Sequence, residues 1–208
     1  MYKRQVLDSL INLLSSSIGS LTNPKKIPDT FISNSFKDVS INTISSYLNC
    51  LLDSFIIEKV ERYNVKGKKY ISTPSKYYFS DIGLRNARIN FRQMEENHIM
   101  ENIIYNELLS RGYNVDVGVV EVREGNIRKQ LEVDFVCNQS DKRFYIQVAL
   151  NLDTREKTIQ EEKSLLNIND NFKKIIVVKD NILKWYTEEG ILVIGLQEFL
   201  LNKNSLNL

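Results

Sequence analysis

Three residues on three predicted elements carry side chains that could do chemistry. Glu101 lies in a predicted helix, Asp134 in a strand-like run at 131–136, and Gln147 in the next strand-like run at 144–149. Carboxylate oxygens are the ligands that Mg²⁺ prefers, and a bound Mg²⁺ can activate a water molecule. The two carboxylates therefore predict a metal site, with Gln147 as a neutral third member.

The residues around Gln147 predict a weakened site. Metal-dependent nucleases combine a helix glutamate and a strand aspartate with a Glu-x-Lys on the next strand, and here that triplet reads Gln147-Val148-Ala149. One carboxylate and the usual cation are lost, although Gln147 and the main-chain carbonyl of Val148 still offer neutral oxygens. A methyl group neither orients a water molecule nor offsets charge on a phosphate. The possible replacements for the cation on neighbouring strands are Lys129, Lys142 and Arg143.

The same residues also have an ordinary structural interpretation. Glu132 and Asp134 alternate with apolar neighbours, as the solvent-facing side of any half-buried strand does. Glu101 could equally be an exposed helix residue. His98 is the single histidine, which excludes a histidine-based metal centre and a catalytic triad that needs histidine. The residue pattern alone leaves the carboxylate site and the surface interpretation open.

Composition describes an ordinary globular protein. The chain has 208 residues, 42% hydrophobic and 26% charged, enough for one large or two small domains. No apolar run is long enough for a membrane span. Lys3 and Arg4 are followed by an apolar run that Asp8 interrupts, so no secretory signal is expected and a cytoplasmic location follows by default. Cys50 and Cys137 lie within apolar patterns and are predicted to be two buried, reduced thiols.

The first 90 residues predict a winged helix-turn-helix domain. Three helices with a tight turn before the third are followed by a hairpin with a basic tip, which is the order of elements in a winged helix. The helices are predicted at 5–18, at 28–36 and from a cap at Asn42 or Thr43 to Leu52, the turn at 38–41, the strands at 55–63 and 76–79, and a turn or short helix at 81–87.

This domain has polar and basic residues suited to nucleic acid. Residues 1–90 carry 13 Lys and Arg against 7 Asp and Glu, a net +6 that is compatible with a phosphate-facing surface. The third helix has no arginine, so strong base-specific readout is not expected. The same fold could instead dock a protein or couple to an ATPase. The residues predicted to face a DNA groove are Asn42, Thr43, Ser45, Ser46 and Asn49, and those predicted to contact phosphates are Lys66, Lys68 and Lys69.

The second half alternates helices and strands in α/β fashion. A helix, three consecutive strands, a helix and a strand give the αβββαβ core order of the restriction-endonuclease-like fold. A polar stretch at 88–95 predicts the boundary between domains 1–90 and 91–208. The helices are predicted at 96–111, 153–166 and 197–201 and the strands at 113–121, 130–138, 143–150, 174–178 and 191–194, with Trp185 and Tyr186 in the core or on an edge strand.

Several runs, in the same order along the chain, resemble the DUF4143 region found at the C-terminal half of a group of prokaryotic AAA-type ATPases. These runs are 47–57, 60–63, 66–68, 77–86, 101–102, 107–108, 111–113, 132–136 and 145–149, within a similarity that covers about 25–201. The resemblance implies a winged helix followed by a PD-(D/E)XK nuclease-like domain, with Glu101, Asp134 and Gln147 as an ancestral catalytic site. No Gly-x-x-x-x-Gly-Lys-Ser/Thr occurs, so no nucleotide site and no ATP hydrolysis are expected in this chain.

The sequence thus predicts a nucleic-acid-binding or partner-docking module of an AAA-type ATPase, with a degenerate nuclease-like site. DNA and, in a longer product, an ATPase domain are the expected partners, and a membrane is not. An active DNA endonuclease with Mg²⁺ as its cofactor is one alternative. A protein-interaction module without DNA binding is the other, and whether the chain is an enzyme stays open.

Overall fold

The computed structural model of the chain describes residues 2–33, 39–92 and 95–206. It divides into two compact units, the first made of residues 1–61 and 72–102 and the second of residues 62–71 and 103–208. Within the described residues, no helix has both the length and the apolar content that crossing a bilayer requires.

The first unit is mainly helical. Its elements are α1 (Tyr2–Ser16), a short 3-10 helix (Pro24–Lys26), α2 (Ile27–Ser33), α3 (Ile41–Asp53), α4 (Ile82–Arg88) and the first part of α5 (Glu96–Ser110). Leu10 and Leu14 of α1 and Ile44 of α3 are at most 1% exposed, so the apolar sides of these helices form its core. The end of the predicted helix at 28–36 and the start of the predicted turn at 38–41 lie outside the described residues.

Two sequence predictions for α3 are wrong. The cap is Ser40, whose hydroxyl accepts a hydrogen bond from the Thr43 main-chain N–H at 3.1 Å, rather than Asn42 or Thr43. A hydroxyl at the N-cap position reaches the amide three residues on, which fixes where the helix begins.

Cys50 is exposed, whereas Cys137 is buried, and both are free thiols. Burial raises the pKa of the Cys137 thiol, so it stays protonated at neutral pH.

A β-hairpin follows α3, as predicted. Its strands are β1 (Ile57–Asn64) and β2 (Lys69–Phe79), so β2 begins seven residues before the predicted strand. Residues 69–73 are exposed or half-exposed and lack the apolar alternation that marks a strand in sequence. The tip is fixed by Asn64, whose side-chain oxygen accepts a hydrogen bond from the Gly67 N–H at 2.7 Å.

The second unit contains only residues 62–64 of β1 and 69–71 of β2. The mixed sheet that includes these residues has the strand order β2-β1-β3-β4-β5-β6-β8-β7. The elements after α5 are β3 (Asn114–Glu124), β4 (Ile127–Gln139), β5 (Lys142–Ala149), α6 (Arg155–Leu166), β6 (Lys173–Val178), β7 (Trp185–Tyr186), β8 (Leu192–Gly195) and α7 (Leu196–Leu201). Strands β3, β4 and β5 pair antiparallel, whereas β1 with β3, β5 with β6 and β6 with β8 pair parallel. The order α5-β3-β4-β5-α6-β6 agrees with the predicted order of elements.

Strand β3 approaches β4 closely at Gly118, next to an irregularity in register. A Cβ atom at Gly118 would lie 2.9 Å from Val133 Cβ and 2.9 Å from Val136 Cγ2. Both valines are fully buried in the apolar cluster of this unit, and a Cβ that is one bond from the main chain cannot turn aside.

We therefore expect Gly118→Ala to lower the free energy of unfolding by about 1–3 kcal/mol through overpacking. Urea denaturation would measure the change. Gly125→Ala is a useful comparison, because a Cβ there meets nothing within 4 Å and only the φ of 62° opposes it. A loss below about 1 kcal/mol in Gly118→Ala would contradict overpacking at this position.

Candidate functional site

Asp134 lies on β4 and is 9% exposed. Its Oδ2 accepts a hydrogen bond from the Val148 main-chain N–H at 2.8 Å. The antiparallel register pairs Phe135 with Ile146, the residues that adjoin Asp134 and Gln147 along β4 and β5. Two of the three predicted chemical residues therefore lie at the same end of this strand pair.

Gln147 takes part in a polar network with α6 instead of presenting a free carbonyl. Its Oε1 accepts a hydrogen bond from Ser164 Oγ at 3.3 Å. Glu161 also hydrogen-bonds to Gln147. Burial raises the pKa of Glu161, and the Gln147 bond and the Lys157 charge oppose that rise only in part. The sequence analysis did not single out the three α6 residues of this network. Lys157, Glu161 and Ser164 have the i, i+4, i+7 spacing of one helix face, which is the signal that could have shown them.

Ala149 has an apolar side chain in apolar surroundings and does not replace the usual lysine. Ala149 is 3% exposed and belongs to the apolar cluster that includes Tyr145 and Val178. Two of the candidate replacement cations have partners of their own. Lys129 pairs with Glu124, and Arg143 donates to Asn138 Oδ1 at 2.7 Å.

Lys142 and Arg143 lie at the start of β5, toward the end of the strand away from Gln147. Lys142 is exposed and pairs in register with Gln139, where β4 turns into β5. The Arg143 guanidinium lies over the rings of Tyr63 and Phe172, at 5.7 and 5.3 Å from their centroids. Stacking of this kind holds a guanidinium in place as well as balancing its charge.

Glu101, on the part of α5 that belongs to the first unit, is a buried residue and not an exposed one. Its Oε1 accepts a hydrogen bond from Lys76 Nζ at 2.7 Å and another from the Tyr78 hydroxyl. The side chains of Glu101 and Lys76 are 5% and 4% exposed, so this is a buried ion pair. His98 Nδ1 lies 3.9 Å from the other carboxylate oxygen. An ammonium group already balances the Glu101 charge.

These donors do not fit a Mg²⁺ site. Mg²⁺ needs oxygen ligands in near-octahedral geometry and usually one or two carboxylates that are available to it. Glu101 is committed to Lys76 and Tyr78, and the side chain of Gln147 to α6. In the part of the chain that the structure describes, no group of three or more His, Cys, Asp or Glu side chains could hold a metal ion.

The residues predicted to face DNA on α3 share one side of that helix. Asn42, Ser46 and Asn49 are exposed and Ser45 is half-buried, and these four have i, i+3, i+4, i+7 spacing. Thr43 is half-buried and its hydroxyl contacts the Ser40 hydroxyl at 3.0 Å, so it supports the cap. The opposite face is the buried one, with Ile44, Leu48 and Leu51 at most 4% exposed.

The predicted phosphate-contacting lysines lie on the part of the hairpin that belongs to the second unit. Lys66, Lys68 and Lys69 are all exposed. Lys66 Nζ donates to the main-chain carbonyl of Glu121 at 2.8 Å. A carbonyl carries no net charge, so this bond positions the ammonium group without neutralising it.

Comparison with known proteins identifies the family to which the chain belongs. The chain belongs to the family described as a domain of unknown function, DUF4143, which matches residues 96–199. Residues 2–95 match a second family, described as a domain of unknown function, DUF8612. The predicted DUF4143 resemblance is confirmed for the second half, whereas the first half matches a separate description.

Two individual proteins are similar to the chain. An uncharacterized protein of Haemophilus influenzae is 36% identical over 199 residues, which is 94% of this chain and 46% of the relative. The chain thus spans about half the length of that relative. The crystal structure of protein VC1899 from Vibrio cholerae is 13% identical, with a TM-score of 0.35, and the similarity covers 93% of this chain and 53% of that one.

Proposed function

We propose that this chain binds nucleic acid through two surfaces, the α3 face of the first unit and the basic hairpin tip of the second unit. The observation that carries the proposal is the amphipathic pattern of α3, which keeps Ile44 and Leu48 in the core and Asn42, Ser46 and Asn49 in solvent. Short amides and hydroxyls at this spacing suit insertion into a groove and contact with its phosphates.

The lysines of the hairpin tip support the same proposal. Lys68 and Lys69 are exposed and bring two charges onto a short turn with Lys66. Each lysine that neutralises a phosphate releases condensed counterions, so binding should weaken steeply with salt. The absence of arginine from α3 favours contact with the backbone over readout of base sequence.

For the second unit we propose a restriction-endonuclease-like fold that no longer cleaves. The order α5-β3-β4-β5-α6-β6 supports the fold. The hydrogen bonds of Gln147 to α6 and the apolar surroundings of Ala149 support the loss of activity. In longer relatives we propose that this module is joined to an AAA-type ATPase domain. The 46% coverage of the Haemophilus influenzae protein leaves room for one.

The test is binding of the whole chain to a fluorescein-labelled DNA duplex at several salt concentrations. We expect Lys68→Gln/Lys69→Gln to reduce the slope of log affinity against log salt by about 2, since each lost phosphate contact removes about one unit. Lys184→Gln/Lys203→Gln removes the same charge from two other exposed lysines and should leave the slope unchanged. A wild-type chain without affinity at low salt would contradict the proposal and favour the protein-interaction alternative.

The same samples test cleavage. Incubated with supercoiled plasmid and Mn²⁺ or Mg²⁺, the wild-type chain is expected to leave the plasmid intact. Asp134→Ala is the control that separates this site from a contaminating nuclease. Nicking by the wild-type chain that Asp134→Ala abolishes would establish the active-endonuclease alternative.

A further inference from the structure

The hairpin formed by β3 and β4 carries two arginines that face each other. Arg123 and Arg128 are directly paired in the antiparallel register, and both are exposed. Like charges opposite each other on paired strands destabilise the pair. The pairing therefore concentrates two guanidinium charges at one place on the hairpin.

Both arginines line a pocket of about 500 Å³ in the second unit. Its walls are formed by Lys66, Glu121, Val122, Arg123, Arg128 and Asn167. Three cations therefore face one carboxylate, which leaves a net positive charge. Lys66 also belongs to the hairpin tip, so one of the three proposed phosphate-contacting lysines lines the pocket.

The nearby carboxylates are committed to other groups. Glu124 accepts hydrogen bonds from Lys129 and Lys163, which lower the pKa of its carboxyl to about 2. Glu121 Oε1 accepts from Asn64 Nδ2 at 3.0 Å. Across the described ranges, no carboxylate forms an ion pair with Arg123 or Arg128.

We infer that this pocket binds one phosphate group of a nucleic-acid backbone, held by the guanidinium groups of Arg123 and Arg128 and by the Lys66 ammonium group. Guanidinium groups suit this task because their planar forks match phosphate oxygens in bidentate geometry. The inference rests on the proposed function for its ligand, and it adds a contact site formed by β3 and β4 that the winged-helix interpretation does not include.

The test compares two double variants that each remove two positive charges from neighbouring surface. Arg123→Gln/Arg128→Gln should weaken binding to the DNA duplex by roughly tenfold to hundredfold, the loss of two charge-assisted contacts. Lys129→Gln/Lys163→Gln removes cations that Glu124 already pairs and should change the affinity by less than about threefold. The arginine variant should unfold at the same or a higher urea concentration, because it removes a repulsion.

A second arm separates this inference from the proposed function. Tripolyphosphate, titrated calorimetrically without DNA, should bind the wild-type chain and not the arginine variant. If DNA fails to bind but tripolyphosphate binds through the arginines, the pocket stands and the proposed function fails. If the arginine variant keeps wild-type affinity for DNA and for tripolyphosphate, or if the two double variants lose DNA affinity equally, the inference is overturned.

Discussion

Replacing Glu101 by Ala is expected to lower the free energy of unfolding of the chain by about 3–5 kcal/mol, because it leaves the Lys76 ammonium group buried without its carboxylate. The 2.7 Å contact between these side chains, both at least 95% buried, is the reason for so large a value. The Tyr78 hydroxyl loses an acceptor in the same substitution. Urea denaturation followed by circular dichroism would measure the change.

Two further variants show whether the ion pair is the cause. Lys76→Met/Glu101→Leu removes both charges together and should recover most of the lost stability, since an apolar pair of similar volume often replaces a buried ion pair without cost. Asp53→Ala removes an exposed carboxylate from α3 and should change stability by less than about 0.5 kcal/mol. A Glu101→Ala chain as stable as wild type would argue against a structural role and return Glu101 to consideration as a catalytic residue.

Asn102→Ala is expected to cost about 2–6 kcal/mol, at about 1–3 kcal/mol for each of two buried main-chain groups that lose a partner. Asn102 Nδ2 donates to the Phe79 carbonyl and Asn102 Oδ1 accepts from the Phe79 N–H, both at 2.8 Å. The Asn102 amide thus pairs with both main-chain groups of Phe79, as a residue of an adjacent strand would, at the end of β2. Asn102 is fully buried, so water cannot take over these bonds without a local opening.

The matched comparison is Asn49→Ala, the same substitution at an exposed position of α3. Alanine has a higher helix propensity than asparagine, so this variant should be neutral or slightly stabilised. Asn102→Asp keeps the acceptor for the Phe79 N–H and loses the donor, so its stability should also fall. If Asn102→Ala and Asn49→Ala unfold at the same urea concentration, the pairing with Phe79 does not stabilise the chain.

Secondary structure was predictable where the apolar pattern is regular and less so where other forces decide. The predicted strand at 143–150 and the observed β5 (Lys142–Ala149) differ by one residue at each end, because a nearly continuous run of apolar, buried residues marks this strand. The early part of β2 was missed because its polar residues give no such pattern. The α3 cap was misplaced because serine, asparagine and threonine all compete for the N-cap position.

The candidate site was predictable in residue type but not in its contacts. The types at Glu101, Asp134 and Gln147 are visible in sequence. The partner of Glu101 is not, because Lys76 lies 25 residues away on a strand and no local pattern connects them. The hydrogen bonds of Gln147 to α6 are hidden for the same reason. Long-range pairings of polar groups depend on the tertiary fold, which periodicity does not encode.

The far border of the sheet limits how another chain could attach there. Strand β7 consists of Trp185 and Tyr186 alone, both exposed, and it forms the last position in the strand order. An incoming extended segment could form main-chain hydrogen bonds with only these two residues, so β-augmentation would gain little. Attachment at this border would depend on contacts of the Trp185 and Tyr186 side chains. Edge-to-edge association of sheets through main-chain pairing is disfavoured there.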